Sequence, residues 1–315
     1  MTHVSTSTLE HVNTFKTYLQ GLGHSMTTIH GHLSALKYLG AWATKENLEI
    51  DQLSYTELLS FTKYYQGKGA GKSTVNKYLL SIRHYFTHLI EQGRATENPA
   101  QYLQLKGVVR NKLYDIFTPL ELEGIYNRFC NKDFSSKRYS TLKKTQALEH
   151  LRNKVIVGML IYQGLRSDEI IHLRTQDVKL RKGMVEIPEV KNSNGREMKL
   201  EACQIMDLHQ YMTEVRKEIL SQTHQQTENL FINTGNSPDL HNTLGKLAQQ
   251  LNTIEPRLKN LKQIRASVIT KWLKLYNLRQ VQYLAGHKWI SSTEEYLQNE
   301  MEGLQEEINK YHPLG

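Results

Sequence analysis

Cysteine is nearly missing from this 315-residue chain, which has only Cys130 and Cys203. Two lone thiols exclude a disulfide framework and fit a reducing compartment. No apolar run approaches the roughly 18 residues a membrane-crossing helix needs, so no membrane partner is expected. The start, MTHVSTSTLEHVNTF, lacks both a basic head and an apolar core. It is not expected to be a signal peptide, and a cytoplasmic location is expected. There is no HExxH and no paired CxxC. His30 and His32 lie two apart and so face different directions on a helix. No metal and no cofactor are therefore expected. A phosphate-binding P-loop is excluded too. GKGAGKST resembles one, but Gln66 stands where its first glycine belongs, and a helical KYY rather than a strand precedes it. No internal repeat or low-complexity tract is visible.

Acid is the other absence. From Glu57 to Glu91 no acidic residue intervenes, while Lys63, Lys68, Lys72, Lys77 and Arg83 do. The whole chain carries +9 with pI near 9.3, and six acids with one base, Lys310, lie after Thr293. Residues 1–293 therefore hold 39 bases and 25 acids, a net of +14. Such a surface attracts polyanions, nucleic acid above all. The rest of the composition, 39% hydrophobic and 23% charged, is that of a soluble globular protein of about two domains.

Residues 8–93 read as about four helices. Apolar positions recur at spacings of three and four, as in Ile29, Leu33, Leu36 and Leu39, and in Val75, Leu79, Ile82, Phe86 and Leu89. GLGHS, ENLEIDQLS and YQGKGAGKS mark the loops, and Pro99 is expected to close the module. A second domain opens at Thr118, a helix N-cap, with Pro119 in the first turn and Glu121 completing a capping box. A helix over 146–162 should bury Leu148, Leu151, Val155 and Met159. GMVEIPEVKNSNGREMKLEAC alternates like two strands, with Asn194-Gly195 at the turn. The remainder reads as helical, broken near Gly235, Pro256, Asn277 and Gly286.

The chemistry-bearing residues come in a fixed order. Arg166 sits in GLRSDE, before a helix starting near Ser167, whose free N-terminus would add positive potential for an anion. Lys191 precedes the hairpin turn. Lys262 and Arg265, three apart, share a helix face. His287 ends AGH, and Tyr296 follows nine residues on in SSTEEY. Alone, each has a bland reading: a loop arginine, a solvated turn lysine, a basic helix face, a structural histidine, a surface aromatic. Together, two arginines, two lysines, a histidine and a tyrosine suit attack by a phenol on a phosphodiester without a metal.

This set resembles the tyrosine recombinases, the lambda-integrase family. Gly-Leu-Arg followed three residues later by an acid, here Glu169, resembles the family's first-arginine motif. AGH resembles its Leu-Gly-His, SSTEEY its Thr-x-x-Tyr, and KSTVNKYLLSIRHYFTHLIEQGRATENPA the last helices of its core-binding domain. Lys262-x-x-Arg265 departs from the family's His-x-x-Arg. Lysine still meets phosphate as a point charge, but its proton transfer near neutrality differs from that of histidine.

The resemblance implies a mainly α fold. A helical core-binding (SAM-like) DNA-binding domain would span 1–105 and a linker 106–117. A mostly helical catalytic domain with a small antiparallel β-sheet and a C-terminal tail helix would span 118–315. It implies a site-specific recombinase of double-stranded DNA, either the integrase or transposase of a mobile element or Xer-like. Alternatives are type IB topoisomerase-like resealing and a non-catalytic DNA-binding protein of recombinase ancestry. Tyr296 would be the nucleophile. Arg166 and Arg265 would bind the phosphate, Lys191 (with Lys199 as competitor) would protonate the leaving 5′ oxygen, and His287 and Lys262 would assist. Glu169 would orient Arg166, while Lys63, Lys68, Lys72, Lys77 and Arg83 would contact DNA. An apolar stripe of Met301, Leu304 and Ile308 on the acidic tail would join protomers into a dimer or tetramer.

Overall fold

The computed structural model describes residues 6–107, 114–131, 140–235 and 239–297, with side chains left aside at 6–12 and 140–143. The chain divides into two compact units, Met1–Arg110 and Asn111–Gly315.

The first unit holds α1 (Thr6–Gly21), α2 (Met26–Lys45), α3 (Tyr55–Gly67) and α4 (Lys72–Glu91). Each start has a local cause. Ser25 caps α2, and Ser54 with Glu57 forms a capping box on α3. The three-and-four periodicity closes on one apolar core of Phe15, Leu19, Ile29, Leu39, Trp42, Leu58, Phe61, Leu79, Ile82 and Phe86. α4 does not wait for Pro99. It stops at Glu91 because Gly93, at φ +68°, turns the chain left-handed. Gly93 N then donates to Ile90 O and Arg94 N to Leu89 O, satisfying carbonyls the helix end leaves free.

In the second unit, Thr118 and Glu121 cap α5 (Pro119–Cys130) reciprocally, as their spacing predicts. α6 (Ser140–Tyr162) starts six residues earlier than expected and buries Arg152 and Asn153 beside Leu148, Val155 and Met159. Arg152 is tolerated inside because it donates to Asn153 Oδ1 and Ile232 O. α7 (Ser167–His172) follows, and then an antiparallel sheet in the order β1 (Val178–Lys179), β2 (Met184–Ile187), β3 (Arg196–Lys199). The first strand was not anticipated, being only two residues long.

The hairpin turn is also displaced. Val190 and Ser193 exchange both backbone hydrogen bonds, which centres the turn on Lys191–Asn192. Asn194 and Gly195 instead lead into β3, because Asn194 N is held by Gly286 O at 2.9 Å. The remaining helices are α8 (Ala202–Gln210), α9 (Arg216–Thr223), α10 (His241–Ile254), α11 (Leu261–Leu275), α12 (Leu278–Ala285) and α13 (Ser291–Glu294); a π-helical turn joins α8 to α9. α11 is anchored through Ser267 Oγ, which accepts from Phe117 N, and Gln263, which donates to Asp115 O. No helix among the described residues is long and apolar enough to cross a membrane.

Candidate active site

A buried carboxylate is costly unless its oxygens are matched by donors. Glu169, in the first turn of α7, is 0% exposed and fully matched. Arg196 grips it with Nη1–Oε1 at 2.8 Å and Nη2–Oε2 at 3.1 Å. Ser193 Oγ lies 2.5 Å from Oε1, and Arg166 N donates to Oε2 at 2.8 Å. Arg265 Nη1 stands 3.7 Å away. Burial by itself would raise this carboxyl's pKa. The hydrogen bonds and charge of Arg196, then the charge of Arg265, overcome that and hold it at about 2. Glu169 thus takes the cap amide at the start of α7.

The arginines are aimed by carbonyls. Arg265, 5% exposed in α11, donates to Gly164 O at 2.7 Å and to Ala285 O. Burial pushes its pKa down, to about 10, so it remains a cation at neutral pH. Arg166 donates through Nη1 to Asn192 O in the hairpin turn.

AGH has a local explanation. Ala285 ends α12, Gly286 adopts φ +63°, Gly286 N donates to Tyr283 O and His287 N to Gln282 O. A side chain at Gly286 has no room, because a Cβ would lie 2.4 Å from Arg196 Nη1 and 2.5 Å from Ser193 Oγ. The turn delivers His287, 2% exposed, to Thr293, with Nδ1 and Oγ1 at 2.8 Å. Burial, then the charges of Arg265, Arg166 and Arg196, push its pKa down to about 3, so the imidazole is neutral. Tyr296, just past α13, stacks on it with ring centroids 5.8 Å apart and planes 17° off parallel.

Arg166, Arg265, His287, Tyr296 and Glu169 therefore converge. Lys191 is exposed at the hairpin tip, just before Asn192, whose carbonyl accepts from Arg166, and Ser193, whose hydroxyl meets Glu169 and Gly286 O. Lys199 is exposed at the end of β3, its carbonyl held by Gln163. Lys262 is exposed although Arg265, three residues on, is buried. An offset of three leaves about 60° between side chains, enough to separate a rim from an interior.

Three guanidiniums and one carboxylate give the cluster a formal charge of 3 − 1 = +2 with neutral His287. That excess suits a phosphodiester, which carries one negative charge and gains a second as a nucleophile adds.

The DNA-contact candidates divide. Lys63 and Lys77 are exposed; Lys68 lies over the Tyr64 ring at 4.6 Å. Lys72 donates to Lys106 O at 3.1 Å, and Arg83 donates to Ala100 O and Leu103 O, tying the segment after α4 to its own unit.

Sequence reasoning missed Arg196 and Ser193. One signal was available: Arg196 falls in the inward phase of β3 with Met198, so a charge occupied a core position. Ser193 gives none, because its burial depends on Gly286.

Residues 12–93 match the N-terminal SAM-like domain of phage integrases, and residues 133–302 match the phage integrase family itself. Tyrosine recombinase XerD of Oceanobacillus iheyensis is 25% identical over 266 residues, covering 84% of each chain. XerD of Listeria monocytogenes is 24% identical over 298 residues, covering 92% of this chain and 94% of its own. XerH bound to its difH substrate shares the fold at a TM-score of 0.68 and 19% identity, covering 90% of this chain and 79% of that one. The chain belongs to the phage integrase family and is a tyrosine recombinase.

Proposed function

We propose that this chain cuts and rejoins duplex DNA at specific sites through a 3′-phosphotyrosine on Tyr296. One observation carries the reading: Arg166 and Arg265 meet the buried Glu169–Arg196 pair, and a neutral histidine beside them stacks on a tyrosine. Arg166 and Arg265 bind the non-bridging oxygens of the scissile phosphate and stabilise the charge that develops. Neutral His287 can accept the phenol proton as Tyr296 Oη attacks phosphorus. The P–O5′ bond breaks, and Lys191 at the exposed tip of the hairpin turn supplies the proton that makes the 5′-hydroxyl. A 5′-hydroxyl of a second strand then attacks the phosphotyrosine, returning the phenol and joining the strands. Energy stays in the phosphodiester, so no nucleotide is consumed.

The exposed lysines 63, 68 and 77 meet backbone phosphate in this reading, which makes affinity strongly salt-dependent. Among the structural neighbours are a lambda integrase dimer on a core site and a tetramer on a Holliday junction, at TM-scores of 0.61 and 0.60. Assembly of this chain on DNA is proposed likewise. Met301, Leu304 and Ile308, the suggested docking stripe, lie outside the described residues. An integrase, a transposase and a Xer-type resolvase would all use this site.

The test is a nicked suicide substrate, which traps the covalent complex. Tyr296→Phe should bind DNA as the parent does and give no SDS-resistant band; a persisting band would move the nucleophile to another tyrosine. No band from the parent protein on any cognate site would leave a DNA binder instead. Lys191→Ala should slow cleavage about 10²-fold, a general acid's usual share, with binding kept. A 5′-bridging sulfur, which leaves unprotonated, should rescue it. Rescue of Lys199→Ala alone would transfer the role to Lys199.

A further inference from the structure

Three histidines, two of them eight residues apart and the third 52 residues on, meet in the N-terminal unit. His24 lies in the GLGHS turn between α1 and α2, His32 one and a half turns into α2, and His84 on α4. Their candidate donor nitrogens all lie within 4.8 Å of one another. The ring centroids are 5.4 Å (24–32), 5.5 Å (24–84) and 5.1 Å (32–84) apart. None of the three belongs to the cluster around Glu169.

The decisive contact is behind His32. Its Nδ1 is 2.9 Å from Ser81 Oγ, and both residues are buried. Ser81 has one hydroxyl proton, and it goes to Lys77 O at 3.0 Å. Ser81 must therefore accept from His32, which puts the ring proton on Nδ1 and leaves the lone pair on Nε2. A second partner that fixes the tautomer and ring plane of a ligating histidine is the usual support of a metal site. Burial and the neighbouring rings also lower the pKa of His32 and His84, favouring the neutral form that can ligate. Arg83, the adjacent cation, is turned away to the carbonyls of Ala100 and Leu103.

We propose that His24, His32 and His84 form a three-imidazole site for a divalent transition metal, Zn²⁺ foremost, tying the α1–α2 turn to α4. Imidazole donors select zinc, copper, nickel or cobalt over magnesium and calcium. Around tetrahedral zinc with Zn–N near 2.05 Å, donors sit about 3.3 Å apart. The largest gap must then close by about 1.5 Å (4.8 − 3.3), within reach of small rotations of His24 and His84, both half-buried. Water or a solute anion completes the fourth position. The metal here is a structural staple and takes no part in strand cleavage.

Full-length, tag-free protein stripped with EDTA is titrated with Zn²⁺ by calorimetry, and Co²⁺ serves as a visible-absorption probe. The expected result is one Zn²⁺ per chain, a rise in the melting temperature of the unit reported by Trp42, and a ligand-field band with Co²⁺. His24→Ala and His84→Ala, checked for folding by circular dichroism, should each weaken binding at least tenfold. Exposed His209→Ala should not. Absence of Zn²⁺ binding at about 100 µM, far above the working range of structural zinc sites, would overturn the proposal. So would binding that survives both cluster variants, or that disappears in Cys203→Ser instead. None of these readings depends on recombination, so this site and the proposed function fail separately.

Discussion

Five described helices, α1 to α4 and α12, stop in the same way, and two of them, one from each unit, differ in what surrounds the stop. The chain leaves α4 through Gly93 and α12 through Gly286, each glycine with positive φ and each marked by the same pair of backbone hydrogen bonds. Around Gly93 an added Cβ would meet nothing within 4 Å, whereas at Gly286 it would strike Arg196 and Ser193. The stop is a local device, but the second copy is set against a buried ionic cluster and delivers His287. The units differ in the same sense. The buried polar residues of the first, among those described, are His32, Thr62, Ser81 and His88. The second buries Arg152, Glu169, Arg196, Arg265 and His287. Apart from Arg152, the buried charge of the second unit gathers in the cluster around Glu169.

The largest break of that comparison should come from Glu169→Ala. It leaves Arg196 buried and unpaired, and should cost the C-terminal unit about 3–5 kcal/mol in denaturant unfolding. The matching change in the first unit, Asp51→Ala at the part-exposed pair with Arg94, should cost only about 1 kcal/mol. Equal costs would show that the buried network is not what distinguishes the units.

Acid should separate them next. His287 has a lowered folded pKa, so the unfolded chain binds its proton first and stability falls as pH drops below about 6.5 toward 3. Glu169, held at about 2, contributes stability above about 4.5 that is lost as pH falls from there toward 2, roughly 3 kcal/mol at most. His32, His84 and His88 give the first unit the upper loss in the same direction; its lowered carboxyl at Glu57 is an exposed helix cap. With chelator present, and with Trp42 reporting one unit and Trp272 the other, only the second unit should keep losing stability steeply below pH 4.5. His287→Gln should remove its loss between about 6.5 and 3 and leave the Glu169 loss between about 4.5 and 2.

The two glycines give the smallest and most direct contrast. Gly93→Ala should cost about 1–2 kcal/mol, the strain of a left-handed alanine. Gly286→Ala carries that strain plus displacement of Arg196 and Ser193, and should also reduce covalent-complex formation at least tenfold. If both variants cleave equally well, the walls around Gly286 do not position the site.

By itself the sequence determined what depends on near neighbours. Helical periodicity, the Thr118–Glu121 box and the glycine stop before His287 follow from residues within a turn or two of one another. The order of arginine, lysine, histidine and tyrosine that resembles the family's was likewise readable, because it runs along the chain and needs no contact between its members. Other features were decided only by the tertiary structure. Lys262 is exposed while Arg265 is buried, because the long guanidinium reaches Gly164 O and Ala285 O across the fold. The hairpin turn is centred on Lys191–Asn192 rather than Asn194–Gly195, because Gly286 O holds Asn194. Arg196 closes the ring around Glu169, 27 residues away in sequence. His24 and His84 meet His32 only when α4 packs on α2. Local propensity cannot register such meetings, since their energy comes from groups that become neighbours only after the chain has folded.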